Sequence, residues 1–178
     1  MKDSPGYIHP MPDEVEGPGD SENLEDPPPF FPKEFLSADR DTSAIGDLVE
    51  VSIEGVYAVE NGGNISRFVL LTEGDRRLPI LIGPFEAQAI SLPLDGTRPD
   101  RPMTHDLVKS IVDRLGADVD RIVIDDLWNT IYYAKVYLRK GEDEMEIDAR
   151  PSDAIAIAVR FDAPIFVAET ILDTAAEE

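Results

Sequence analysis

The chain has 178 residues, with 16 Lys and Arg against 37 Asp and Glu, so its formal net charge is −21. A charge this negative favours solubility and disfavours non-specific attraction to nucleic acid or anionic lipid, because the long-range field repels polyanions. The length suits one domain that is large enough to bury a hydrophobic core. The absence of cysteine excludes disulfides, cysteine nucleophiles and thiolate zinc sites.

The apolar segments of the sequence are short. No run approaches the ~18 apolar residues that a membrane span requires, and the first residues lack the apolar stretch of a signal peptide. We therefore expect a cytoplasmic protein that does not enter the membrane.

Residues 1–44 differ in composition from the rest of the chain. They contain eight of the fifteen prolines, and their three basic and eleven acidic residues give a charge of −8, which leaves −13 for the remainder. No apolar period of a helix or strand runs through them. Because such a segment buries too little apolar surface to offset its ordering entropy, it is predicted to be a disordered, acidic, proline-rich tail.

Within this tail, residues 27–31 consist of three prolines followed by two phenylalanines. The segment is stiff and apolar, which would suit docking into a groove of a partner protein or of the domain itself. The alternative is a linker that carries a few exposed aromatic side chains.

The folded domain is predicted to span residues 45–174, followed by a short acidic end, 175–178. Alternating apolar residues and turn clusters predict an opening β-meander. Its strands are 47–59, 66–73 and 78–82, joined by turns at 60–64 and 74–75. Two amphipathic helices follow, at 85–94 and 103–115, with Thr104 as the predicted cap of the second.

A second β-unit is predicted from residue 119 onward, with strands 119–125, 130–139 and 144–149 and a turn at 126–129. Pairing Arg139 with Glu144 collects the apolar side chains of that hairpin on one face. Residues 151–161 are apolar nearly all round, which predicts a central buried helix, and 164–168 form a short closing strand. The fold class is therefore α+β: a mixed, largely antiparallel sheet with about three helices, one of them central and buried.

The first candidate site lies at the start of the second predicted helix, where His105 and Asp106 occupy the first turn. The positive end of the helix dipole disfavours imidazolium, so His105 would tend to be neutral, as a general base or metal ligand must be. Alternatively, Asp106 simply complements the dipole and His105 is a surface histidine.

The second candidate site is the junction of a strand with the buried helix. There, Arg150, Ser152 and the helix N-terminus would hold a phosphate, while Asp148 and Asp153 would bind a divalent cation such as Mg²⁺. The structural alternative is that Arg150 forms an ion pair with Asp148 or Asp153 and pins the junction.

A third candidate is the strand face that carries Tyr133, Lys135, Tyr137 and Arg139, which has the composition of a base-stacking platform with interleaved cations. Lys135 is the candidate substrate ligand on this face. The predicted register places Lys135 opposite Asp148 and Arg139 opposite Glu144, so the alternative is that these cations are paired across the hairpin.

Several catalytic signatures are absent from the sequence: the phosphate-binding loop, G-x-G-x-x-G, H-E-x-x-H and G-x-S-x-G. Phosphodiester hydrolysis by this chain would then depend on carboxylates and a metal ion, with His105 assisting. Because the domain is acidic in its own right, a bound cation or the residues near Arg150 would have to reverse the local field before a phosphate backbone approaches.

Four segments together resemble the bifunctional nuclease domain, formerly a domain of unknown function. They are RPMTHDL at 101–107, IVIDDL at 122–127, IDARPSDAIA at 147–156 and PIFV at 164–167. The resemblance covers about residues 49–172. It implies a compact domain with a mixed sheet, a homodimer, and activity on both DNA and RNA.

Two hypotheses of function follow. In the first, the chain is a metal-dependent nuclease, in which His105 and Asp106 activate water, Arg150 and Asp153 complete the catalytic set, and Asp148 and Asp153 hold the cation. In the second, it is a non-catalytic interaction or regulatory domain, and the same polar residues stabilise the fold.

Overall fold

The structure is a computed structural model and describes residues 46–176. The predicted tail and its 27–31 docking segment lie outside the described residues, as do residues 177–178 of the predicted acidic end. Within the described part, no helix has both the length and the apolar character needed to cross a bilayer.

Seven strands and four helices make up the described part of the chain. In chain order they are β1 (Leu48–Asn61), β2 (Asn64–Glu73), β3 (Arg76–Ile82), α1 (Pro84–Leu94), α2 (Thr104–Arg114), β4 (Asp118–Trp128), β5 (Ile131–Lys140), β6 (Asp143–Ala149), α3 (Pro151–Phe161), β7 (Ile165–Ala168) and α4 (Glu169–Ala176).

All seven strands form one sheet in the order β3-β2-β1-β7-β4-β5-β6. The contact between β4 and β7 is parallel, and the other neighbouring pairs are antiparallel. The first residues of β1 pair with β7 and its later residues pair with β2, with a bulge between Ile53 and Gly55. The predicted α+β class, with a mixed and largely antiparallel sheet, is confirmed.

The predicted turn at 126–129 is wrong, because β4 continues to Trp128 and pairs it with Ile131. The turn consists of Asn129 and Thr130, both with positive φ, as a tight two-residue hairpin requires. A bulge between Ile124 and Asp126 interrupts the alternation of side chains in β4. Because of this interruption, apolar and polar residues do not alternate to the end of β4. The sequence there therefore resembled a turn.

The predicted central helix is confirmed as α3, which packs against β4 and β5 and lies between α1 and α2. Its residues Ala154, Ile155, Ala156 and Ala158 are buried. The predicted cap of α2 is wrong: Thr104 is the first helical residue and Met103 is the N-cap. Helix α4 was not predicted from the sequence; its Ile171 and Leu172 are buried in the core.

Candidate active site at three helix N-termini

The N-termini of α1, α2 and α3 are linked by polar side chains at one place in the fold. Glu86 lies in the first turn of α1, His105 in the first turn of α2, and Asp153 in the first turn of α3, with Arg150 as the N-cap of α3. We call these four residues the polar cluster. The structure thus joins His105 to two members of the predicted strand–helix site, Arg150 and Asp153.

Asp153 lies at the centre of the polar cluster. One carboxylate oxygen accepts a hydrogen bond from Arg150 Nε at 2.7 Å, and the other lies 3.1 Å from His105 Nε2. Burial by itself raises the pKa of Asp153, but the hydrogen bonds from Arg150 and His105 outweigh it and hold the pKa below its ordinary value. Asp153 is therefore ionised at neutral pH and fixes the orientation of both partners.

The contact with Asp153 also determines which nitrogen of His105 is basic. When Nε2 carries the proton, it donates to the carboxylate, and Nδ1 is left to accept a proton from a neighbouring group. The side chain of His105 is half-buried. A histidine held by a carboxylate in this way has the arrangement that general bases use.

Arg150 is the most exposed member of the polar cluster, with 67% of its side chain accessible. Its Nη1 also lies 3.4 Å from Glu86 Oε1, a longer ion pair than the one with Asp153. The hydrogen bond to Asp153 is the main cause of its raised pKa. The ion pair with Asp153 is one of the two structural pairings predicted for Arg150, and the exposed guanidinium is at the same time accessible to an anion.

The first turn of α3 offers few amide groups to a phosphate. Pro151 has no N–H, and the amides of Asp153 and Ala154 both donate to the carbonyl of Arg150 at 3.0 Å. The side chain of Ser152 is buried. Anion binding at this end of α3 therefore depends chiefly on the Arg150 side chain.

Asp106 has a different environment from the polar cluster. One of its carboxylate oxygens accepts from the backbone N–H of Met103 at 2.8 Å, and the other accepts from Arg160 Nε at 2.6 Å. Burial raises the pKa of Asp106, but the hydrogen bonds from Met103 and Arg160 lower it by more. The pKa of Asp106 therefore lies below its ordinary value. Asp106 thus caps α2 and binds α3.

Arg160 is one of two residues that sequence reasoning missed, the other being Glu86 of the polar cluster. The side chain of Arg160 is only 5% exposed, and its Nη1 donates to the carbonyls of Ala89 in α1 and Ala156 in α3, at 2.8 and 2.7 Å. Together with its bond to Asp106, it connects all three helices. Its position seven residues after Asp153, on the same face of an otherwise apolar helix, is the sequence signal that points to it.

Lys135 lies apart from the polar cluster. Its Nζ is 3.2 Å from Asp125 and 2.8 Å from Glu146, and its side chain is buried. The predicted register with Asp148 is confirmed, but the ion pairs are formed with other carboxylates. The same holds for Arg139, whose partner is Asp120 in β4, while Glu144 binds Arg121.

Asp148 also lies apart from the polar cluster. It is exposed and is paired in register with Lys135, whereas its neighbour Ala149 pairs with Ala134 on the face that α3 covers. Both carboxylate oxygens of Asp153 are engaged. Among the described residues, no three His, Asp or Glu side chains group closely enough to hold a metal ion. The residues predicted to bind a divalent cation do not, as placed, form a set that fits one.

Comparison with known families gives a match to a family model. The model described as bifunctional nuclease domain matches residues 69–178. This range contains His105, Arg150 and Asp153.

Relatives of the chain occur in bacteria and plants. An uncharacterized protein of Mycobacterium tuberculosis is 41% identical over 123 residues, which are 69% of this chain and 73% of that protein. Bifunctional nuclease 1 of Oryza sativa subsp. indica is 33% identical over 96 residues, 52% of this chain and 29% of the plant protein. Bifunctional nuclease 2 of Arabidopsis thaliana is 33% identical over 93 residues, 51% of this chain and 28% of the plant protein. The aligned regions therefore span less than a third of the two plant proteins.

Proposed function

The chain belongs to the bifunctional nuclease domain family, and on that premise we propose that it hydrolyses phosphodiester bonds of DNA and RNA. The observation that carries the proposal is the contact of His105 with Asp153, which also binds the exposed Arg150. A base, a carboxylate that orients it and a phosphate-binding cation are the groups that such a hydrolysis requires.

In the proposed mechanism, His105 Nδ1 accepts a proton from the water molecule that attacks the phosphorus atom. The bond from phosphorus to the leaving sugar oxygen breaks, and that oxygen takes up a proton from solvent. Asp153 keeps the imidazole in the required tautomer and stabilises the imidazolium that forms. Arg150 binds a non-bridging phosphate oxygen and neutralises the charge that develops on it. Arg150 is the cation of the polar cluster, and its ion pairs with Asp153 and Glu86 partly offset the charge that it presents to a phosphate.

The other candidate residues take supporting roles. Asp106 and Arg160 are positioning residues, because they hold the first turn of α2, and with it His105, against α3. Ser152 lies next to Arg150 and is proposed to contact substrate. Lys135 is not included, because its ammonium is buried between two carboxylates.

A divalent cation remains a prediction from the sequence. Since Asp148 does not join Asp153, we derive no step through a metal. Parallel assays in Mg²⁺ and in EDTA measure the requirement directly.

The experiment that tests the proposal compares variants of His105 and Arg150 on single-stranded DNA and on RNA. We expect His105→Gln to lower kcat by roughly 10²- to 10⁴-fold, the usual contribution of a general base. Arg150→Gln should raise KM and also lower kcat, because Arg150 both binds the phosphate and stabilises the charge that develops on it. Arg101→Gln is the matched control for Arg150, because it removes one exposed arginine outside the cluster. Wild-type activity in folded His105→Gln protein would overturn the mechanism.

A second candidate function is a non-catalytic interaction domain. It is favoured by one observation, that the members of the polar cluster are bound to one another and join three helices. In that case Arg150→Ala lowers the melting temperature by several degrees, and purified wild-type protein shows no turnover. A melting curve and a nuclease assay on the same preparation distinguish the two functions.

We also propose that the chain forms a homodimer, as the resemblance implies, that it binds a partner through residues 27–31 and that it lies in the cytoplasm. Sedimentation of the full chain measures the first of these.

A further inference from the structure

A groove of about 310 Å³ lies beside the polar cluster. The end of β3 forms one wall, the β4–β5 hairpin forms the other, and the start of α3 closes one end. Its lining includes Leu81, Ile82, Ile131, Tyr132, Arg150 and Ser152. The groove therefore joins apolar walls to the guanidinium proposed to bind phosphate.

The walls of this groove expose large apolar side chains. Leu81 is 77% exposed and Ile131 is 57% exposed. Trp128, directly opposite Ile131 in the hairpin, is 61% exposed, and directly opposed residues of an antiparallel pair project from the same face. Grouped apolar side chains that face solvent beside a cation mark a binding surface more often than scattered single ones do.

We propose that this groove binds one nucleotide of single-stranded nucleic acid, with the base against Leu81 and Ile131 and the adjoining phosphate on Arg150. The inference deepens the proposed function, on which it rests, because it assigns a substrate class and a binding subsite to the same cluster. Leu81 and Ile131 become specificity-determining residues for an unpaired base, and Trp128, opposite Ile131, lies beside them as a probe.

The chemistry of the groove favours a single strand over a duplex. In a duplex the base faces are stacked inside the helix, so apolar walls contact only sugar and phosphate groups, whereas an unpaired base offers its whole face. Duplex binding also requires many cations along the backbone. With a net charge of −21, this chain repels an extended polyanion, but one exposed arginine suffices for one phosphate.

The size of the groove supports a single nucleotide. A volume of about 310 Å³ lies at the lower end of the range for small-molecule sites. Glu86, which also lines the groove, lies beside Arg150 and adds a negative charge that an acidic peptide would meet in addition to that of the domain. A neutral base next to one phosphate avoids most of that repulsion.

The experiment uses the intrinsic fluorescence of Trp128, which is the one tryptophan of the chain. A short oligothymidylate with phosphorothioate linkages, which resist hydrolysis, is titrated into the wild-type protein. We expect saturable quenching, and a duplex of the same length should bind at least about tenfold more weakly. Base contacts of this kind contribute roughly 1–3 kcal/mol, which is about 5- to 150-fold in Kd.

Matched leucine variants test the location of the site. Leu81→Ser should weaken binding about tenfold. Leu115→Ser removes a leucine that is 61% exposed at the other end of α2 and should leave Kd unchanged. Both side chains are exposed, so both variants are expected to fold, and Trp128 is retained as the probe.

Three outcomes would overturn the inference: no quenching, equal binding of duplex, or equal Kd for wild-type protein and Leu81→Ser. Tighter binding of a synthetic peptide of residues 27–36 than of the oligonucleotide would assign the groove to the chain's own segment and also overturn it. Binding without cleavage in the separate nuclease assay would leave the subsite standing and remove the proposed function. Cleavage without these binding effects would overturn the subsite and leave the proposed function standing.

Discussion

The Nε atom of Arg160 in α3 lies 2.6 Å from Oδ1 of Asp106 in α2, although the two residues are 54 positions apart in sequence. The same guanidinium donates to carbonyl oxygens of α1 and α3. Because the arginine is buried and each of these bonds involves its charge, the interaction costs much more to break than a surface ion pair. It fixes the three helices whose N-termini carry the polar cluster.

Replacing Arg160 by Met should therefore destabilise the domain by about 2–4 kcal/mol, since it leaves Asp106 and two carbonyl groups without this partner. Urea denaturation followed by circular dichroism measures the change. Arg114→Met is the control: Arg114 is exposed in the last turn of α2, and its loss should change the free energy of unfolding by less than about 0.5 kcal/mol. Equal effects of the two variants would contradict the structural role given to Arg160.

The lowered pKa of Asp153 predicts a pH dependence with a definite sign. The folded state binds a proton on this carboxylate less readily than the unfolded chain, whose value is near 3.8. The resulting stabilisation is present above that value and is lost as the pH falls through the folded pKa. The free energy of unfolding of wild-type protein minus that of Asp153→Asn should therefore be constant above about pH 5 and fall as the pH decreases from about 5 to about 2. A difference that stays constant over this range would contradict the prediction.

Asp125 should show the opposite sign. Burial raises its pKa above 3.8 despite the opposing effect of Lys135, and its Oδ1 atom is buried without a hydrogen-bond partner. Its contribution to stability is full below 3.8 and is lost as the pH rises through the folded pKa. The stability of wild-type protein relative to Asp125→Asn should therefore fall with rising pH, as urea midpoints at a series of pH values would measure. A difference that rises with pH would show that Lys135 lowers the pKa of Asp125 by more than burial raises it.

The sequence predicted the elements, and three of the four members of the polar cluster, where the signals are local. The apolar run of α3 identified the buried helix, and the residue types at a helix start identified His105, Arg150 and Asp153. The bulge at Asp125 was not predictable, because a bulge depends on how two strands pair. The same reason explains the error in the turn at 126–129.

The interactions that support the site were harder to predict from the sequence. The contact of Arg160 with Asp106 depends on how α2 packs on α3, and no spacing rule connects two residues so distant in the chain. The separation of Asp148 from Asp153 has a similar origin: the chain passes from a strand to a helix at Arg150, and alternation along β6 directs Asp148 to the face of Lys135.

Glu86 competes with substrate for Arg150 in the proposed mechanism, since its carboxylate lies 3.4 Å from the guanidinium. We expect Glu86→Gln to lower KM for oligonucleotides by up to about fivefold, the effect of removing one partly exposed ion pair. Glu60→Gln, at an exposed position in β1, controls for the change in net charge. If both variants lower KM equally, the long-range field explains the effect and the competition at Arg150 does not.

The turn between β4 and β5 carries backbone strain next to the proposed nucleotide subsite. Thr130 has φ of 64°, a left-handed conformation that is unfavourable for a β-branched residue, and Asn129 has φ of 49°. Thr130→Gly should raise the free energy of unfolding by about 0.5–1 kcal/mol, the relief of strain less the entropy that glycine adds to the unfolded chain. Asn129→Gly should gain less, because asparagine tolerates this conformation. Urea denaturation measures both, and a loss of stability in Thr130→Gly would show that the threonine side chain stabilises the turn by more than its backbone strain costs.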